Sequence, residues 1–141
     1  MLDAFNREYD DPTPGPEAVA ERIRELLAAG DTDVLLIGDG PDGLAVLRYR
    51  RSLWTPGQEC YLAELYVTPP ERGHGLGRAL MEGAIERAKE RGADGMDLNT
   101  SVDDKAARGL YESLGFTNLE GEPDGPSMLF YELNWEEAGS S

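Results

Sequence analysis

Six residues in the middle of the chain, Arg72-Gly73-His74-Gly75-Leu76-Gly77, have the types and spacing to hold a phosphate. Three glycines in six let a backbone approach a ligand without Cβ clashes. A periodic apolar segment follows: Leu76, Leu80, Ala84 and Ala88, with Met81 and Ile85 beside them, up to Gly92. The spacing predicts a helix, and the loop opens it. At such a start several N–H groups lack partners within the helix, and the positive end of its dipole stands behind them. Arg72 and Arg78 add positive charge in a chain that is otherwise strongly acidic. Two other glycine motifs are excluded. No Lys-Ser/Thr follows, as a triphosphatase loop requires, and the spacing is G-x-G-x-G rather than G-x-G-x-x-G. By itself the hexapeptide reads equally well as a strand-to-helix connection.

A second segment narrows the reading. Asp104-Lys105-Ala106-Ala107-Arg108-Gly109-Leu110-Tyr111 runs into Glu112-Ser113-Leu114-Gly115-Phe116. Leu65-Tyr66-Val67-x-Pro ahead of Arg-Gly-x-Gly-x-Gly, then Ala107-x-x-x-Tyr111-x-x-x-Gly115-Phe116, resembles the GNAT superfamily of acyl-CoA-dependent N-acetyltransferases over residues 60–118. The resemblance implies an α/β (α+β) fold, a mixed central sheet flanked by helices. It implies acetyl-CoA as cosubstrate and direct acetyl transfer to a primary amine in a ternary complex.

It also gives roles to residues. The N–H groups of Arg72, Gly73, His74, Gly75, Leu76 and Gly77, with Arg78 beside them, would hold the CoA pyrophosphate. The strand through Leu65, Tyr66 and Val67 would pair with the pantetheine amides. Tyr111 would protonate the departing thiolate, a suitable task for a phenol of pKa ~10. Read without the resemblance, Tyr111 beside Leu110 and Leu114 is a core residue. Many members carry asparagine three residues before the alanine that is Ala107 here; this chain has Asp104, which changes one cofactor-side hydrogen bond.

The acceptor amine must lose a proton before it attacks. Glu64 is the base candidate, directly or through water, and simple alternation puts it on one face with Leu62 and Tyr66. The competing reading is a strand carboxylate paired with an arginine. Asn99, at a strand end, would orient substrate or cap the next loop. His74, between glycines, reads as an exposed loop residue, and Cys60, with no base partner in view, as non-nucleophilic. Trp135 reads as packing. Phe5, Glu8, Tyr9, Asp10 and Asp11 would shape an acidic acceptor pocket with an aromatic wall, and Trp54 could face it. Such a groove suits aminoglycosides, polyamines or lysine-type amines.

These groups need elements to position them. Leu2, Phe5 and Tyr9 suit a short helix over 2–9, and Val19, Ile23, Leu26 and Leu27 one over 16–29, stopped by Gly30. Strands are predicted at Val34–Ile37, from Leu44 to about Ser52, at Tyr61–Val67, at Met96–Asn99 and at Met128–Leu133. Asp103 or Asp104 caps a helix that ends at Gly115. The chain of 141 residues suits one domain, 1–135, with 136–141 as a tail. It starts at or inside the first helix, so the family's first strand is not seen. Val34–Ile37 then becomes an open sheet edge that a loop, or a second copy in a homodimer, would cover.

With 13 basic against 28 acidic residues the net charge is −15, which repels nucleic acid and anionic membranes and favours cationic ligands. One cysteine and one histidine exclude a disulfide framework and a Cys- or His-rich metal site. No apolar run spans a bilayer and no signal peptide is present, so the expected location is cytoplasmic. The alternative to an enzyme is a degenerate CoA-binding module, or an acidic interaction domain without turnover.

Overall fold

The computed structural model describes residues 16–38 and 41–135. The chain divides after Leu98 into two compact units. The first holds helix α1 (Pro16–Ala29) and strands β1 (Thr32–Ile37), β2 (Gly43–Arg51) and β3 (Gln58–Val67). A 3-10 turn (Pro69–Glu71), helix α2 (Leu76–Glu90) and strand β4 (Ala93–Asp97) follow. The sheet runs β1-β2-β3-β4. The first three strands are antiparallel and β4 lies parallel to β3. This is the expected mixed sheet with helices. No described helix is long and apolar enough to cross a membrane.

Strand β2 is the centre of the core. Leu44, Ala45, Val46, Leu47 and Tyr49 are all buried, as their near-continuous apolar run requires of a strand covered on both faces. Helix α2 lies against all four strands through Leu80, Met81, Ala84 and Ala88. Two of those four are alanines, which let the helix axis come close. At Gly43 the approach is tightest: a Cβ there would stand 3.0 Å from Leu80 Cδ1 and from the Tyr66 carbonyl oxygen.

Register partners share a face. Gly43, Ala45, Leu47 and Tyr49 pair with Val67, Leu65, Leu62 and Cys60, and these line the α2 side. Leu44, Val46, Arg48 and Arg50 pair with Tyr66, Glu64, Tyr61 and Glu59 on the opposite face. The register shifts between Val46 and Leu47, because β3 carries one extra residue, Ala63. This bulge corrects the alternation expected for Glu64. The carboxylate shares a face with Tyr66 and Tyr61, and Leu62 lies on the other.

The α2 side is tied by an ionic network. Asp33 on β1 accepts hydrogen bonds from Tyr49 Oη at 2.9 Å and Arg87 Nε at 3.0 Å, and pairs with Arg91 at 3.3 Å. The Arg91 guanidinium lies 4.1 Å from the centroid of the Tyr49 ring. Burial pushes the Asp33 carboxyl up. The hydrogen bonds from Arg87 and Tyr49 and the two guanidinium charges outweigh it and hold the group below its ordinary value.

Three expectations need adjustment. Strand β4 begins at Ala93, not Met96, because Gln58 to Tyr61 of β3 supply partners that Ala-Asp-Gly has no propensity to seek alone. Met128–Leu133 is not a strand. In the second unit the Leu119–Ser127 bridge and the Met128 N–H to Asn118 oxygen bond (2.6 Å) pair the two arms. No ladder carries on past them, so a β-prone sequence stays without strand structure and largely exposed. Trp135 is exposed rather than packed. The segments 2–9 and 136–141 lie outside the described residues.

Asp33→Asn should lower stability at neutral pH by about 1–3 kcal/mol, because two guanidiniums and a phenol lose a charged acceptor. A carboxylate with a depressed folded pKa stabilises above its unfolded value, near 3.8, and ceases to do so as pH falls through the folded value. The stability gap between wild type and variant, read by urea unfolding, should therefore close only below about pH 4.

Candidate functional site

The glycine loop is where its sequence placed it, between β3 and α2. Gly73 and Gly75 both have φ of +83°, a left-handed conformation that other residues enter at a cost. A Cβ added at either would meet nothing within 4 Å. Packing therefore does not require these glycines; the turn and the open space above it do. Gly75 is the N-cap and has no side chain to offer, so the helix start lacks a side-chain cap. The first backbone bond inside the helix runs from Ala79 N–H to the Gly75 oxygen. Leu76 and Gly77 have no acceptor within the helix for their N–H groups. A helix start of this kind can receive an anion on its main-chain N–H groups.

The Arg72 side chain is engaged at the loop itself. Its Nε donates to the Val67 carbonyl at 2.9 Å, and its guanidinium lies 5.4 Å from the Tyr66 ring centroid. It locks the loop onto the end of β3. His74 is exposed, with Nδ1 3.7 Å from Glu71, as a bland loop residue would be.

The ladder between β3 and β4 covers Gln58 to Tyr61 and ends there. Beyond it Leu65, Tyr66 and Val67 are laddered on the β2 side alone among the described strands. A strand edge thus runs from the bulge to the glycine loop. Asn99 lies just past the end of β4 and is exposed. Cys60 is fully buried, and burial raises its thiol pKa, which opposes a nucleophilic role. Trp54 is 85% exposed in the turn between β2 and β3.

In the second unit helix α3 (Lys105–Ser113) carries Tyr111. The phenol is buried and its ring packs edge-on against Phe116, with centroids 5.8 Å apart. Burial, then the Asp104 charge, raises its pKa, so the proton is held at neutral pH. Asp104 is the helix cap, its Oδ1 accepting from Ala107 N–H at 3.0 Å. That use absorbs both groups in helix geometry. Phe5, Glu8, Tyr9 and Asp10 lie outside the described residues.

One feature was not anticipated. A cavity of about 460 Å³ lies on the sheet face opposite α2, lined among others by Arg48, Arg50, Glu59, Tyr61, Ala63 and Asp97. The alternation of arginines with apolar residues along β2 was its only trace in the sequence. Its assembly depends on the register Arg48–Tyr61–Asp97 across three strands.

The sequence profile of the acetyltransferase (GNAT) family matches residues 2–116. A mycothiol acetyltransferase of Thermobispora bispora is 35% identical over 118 residues, 82% of this chain and 35% of that protein. The mycothiol acetyltransferase of Beutenbergia cavernae is 35% identical over 100 residues, 68% of this chain and 32% of that protein. The chain thus spans about a third of the length of these relatives. A crystal structure described as a putative acetyltransferase from Arthrobacter sp. FB24 superposes with a TM-score of 0.86 at 44% identity, covering 95% of this chain and 85% of that one. Profile, relatives and superposition agree with the mixed sheet and its flanking helices: the chain belongs to the GNAT family of acetyltransferases.

Proposed function

We propose that this chain is an N-acetyltransferase that moves acetyl from acetyl-CoA to a primary amine of a small cationic acceptor, by direct transfer in a ternary complex. The uncapped start of α2, with two left-handed glycines and open space above them, carries the reading. Main-chain N–H groups from Arg72 to Gly77, with Arg78 beside them, hold the pyrophosphate, and the β3 edge at Leu65–Val67 holds the pantetheine arm. When bound, acetyl-CoA supplies an acetyl group activated as a thioester. Glu64 takes a proton from the acceptor ammonium, directly or through water. Tyr111 gives its phenolic proton to the sulfur as the carbon–sulfur bond breaks, and recovers one from the new amide nitrogen. The buried Cys60 supports transfer without an acyl-enzyme. The enzyme works in the cytoplasm as a homodimer, in which a second copy covers the outer edge of β1. Among the described strands, that edge of β1 has no neighbour.

Calorimetric titration of acetyl-CoA tests the cradle. Gly75→Ala should retain the fold, because its Cβ meets nothing, and should weaken acetyl-CoA about tenfold or more through left-handed strain at the phosphate contact. Equal affinity in the two proteins would remove the cradle from the site. Absence of binding to wild type would leave a degenerate member. With primary amines as acceptors and thiol release as readout, Tyr111→Phe should lower kcat about a hundredfold while acetyl-CoA affinity stays within about threefold. A parallel loss of affinity would assign Tyr111 to packing.

A further inference from the structure

Arg72 is exposed and opens the glycine loop, yet its side chain turns back along the chain. Its Nε donates to the Val67 carbonyl oxygen at 2.9 Å, and its guanidinium stands 5.4 Å from the centroid of the buried Tyr66 ring. Val67 is the last residue of β3, where the ladder with β2 ends at Gly43. The side chain thus starts on the first residue of the loop and finishes on the last residue of the strand. Between the two lie Thr68 and the 3-10 turn Pro69–Glu71. Main-chain bonds hold this stretch locally. Thr68 N–H donates to the Asp42 oxygen at 2.8 Å, Glu71 N–H to the Thr68 oxygen at 2.9 Å and Arg72 N–H to the Pro69 oxygen at 3.3 Å. None of these three bonds joins the loop to the strand across the whole stretch; the Arg72 side chain does. The contact calls for arginine in particular, since a flat guanidinium can offer Nε–H to a carbonyl and its charge to a ring at once, and an ammonium has no such plane.

By the reading above, the two ends of this stretch serve one ligand. The β3 edge at Leu65–Val67 takes the pantetheine arm, and the loop N–H groups take the pyrophosphate. A ligand held at two points gains from the second only as far as the protein keeps the two at a fixed separation. That separation sets the effective concentration of one half once the other is bound. We propose, building on the acetyl-CoA site above, that Arg72 is a positioning residue that couples the two halves of that site, acting through the Val67 carbonyl and the Tyr66 ring and not through contact of its charge with phosphate.

Dissociation constants for three ligands separate coupling from contact. Acetyl-CoA has both halves, ADP has the pyrophosphate without pantetheine, and S-acetylpantetheine has the amides without pyrophosphate. Calorimetry reads the first, and NMR titration the two weaker fragments. Arg72→Met removes donor and charge; Arg72→Lys keeps the charge and removes the Nε–H and the flat face. Both should unfold close to the wild-type urea midpoint, because the side chain is exposed. Acetyl-CoA should weaken about tenfold in both variants, while ADP and S-acetylpantetheine each stay within about twofold of wild type. The product of the two fragment constants divided by the acetyl-CoA constant is an effective concentration, and it should fall about tenfold. Loss of ADP affinity in Arg72→Met that Arg72→Lys restores overturns the proposal and gives Arg72 a charge contact with phosphate. Unchanged acetyl-CoA affinity in both variants overturns it too, and leaves the cofactor reading standing. Absence of acetyl-CoA binding to wild type removes the cofactor reading and the coupling together. Should Arg72→Met fail to fold, Arg72→Lys decides: weaker acetyl-CoA with unchanged ADP supports the coupling, and wild-type affinity for both overturns it.

Discussion

One extra residue in β3 decides what this sheet can do. Up to Leu62 the strand alternates so that Cys60 and Leu62 face α2, and Tyr61 faces away. Ala63 breaks that parity, and from Glu64 on the faces exchange. Without it, Glu64 and Tyr66 would point under α2, where a carboxylate has no compensation for its lost hydration. With it, Glu64 shares a face with Tyr61 and Arg48. The same stretch marks where β4 leaves β3: the parallel ladder stops at Tyr61, two residues short of the bulge. The strand edge beyond is the one that leads to the glycine loop.

The loop in turn depends on how α2 is seated. Alanines at 84 and 88 and a glycine at 43 let the helix lie close to the sheet, which sets where its N-terminus emerges. At the far end Arg87 and Arg91 grip Asp33, with Tyr49 beneath. A helix pinned at its C-terminal turn by charge and along its length by packing presents its first turn rigidly. Arg72 ties the loop to the end of β3 through the Val67 carbonyl, so the approach to the cradle is held as firmly as its exit. The glycine loop is therefore held in place by neutral packing and by charges remote from it, and what it presents is main-chain dipoles. That matters in a chain of net charge −15, where an anion is accommodated only by a local arrangement of N–H groups.

Much of this was legible in the sequence because the signals were local. The glycine spacing before an apolar helical stripe specified an uncapped helix start, since left-handed turns and unpaired N–H groups are properties of a few consecutive residues. The apolar runs of β2 and β3 and the stops at Gly92 and Gly115 followed for the same reason. The Ala107-to-Phe116 spacing placed Tyr111 on a helix, where it is buried. What sequence did not determine depended on partners distant along the chain. Met128–Leu133 has strand propensity, yet propensity without a continuing ladder makes no strand. Ala-Asp-Gly of β4 has little propensity and pairs because β3 is there. The face of Glu64 was misjudged because a bulge is visible only as a mismatch between two strands. Arg48 and Asp97 lie 49 positions apart and meet one cavity solely through register. Residue types and short spacings determined the family and the glycine loop that opens α2. Tertiary pairing alone decided which charges share a face, because register couples each strand to a neighbour that its own sequence does not contain.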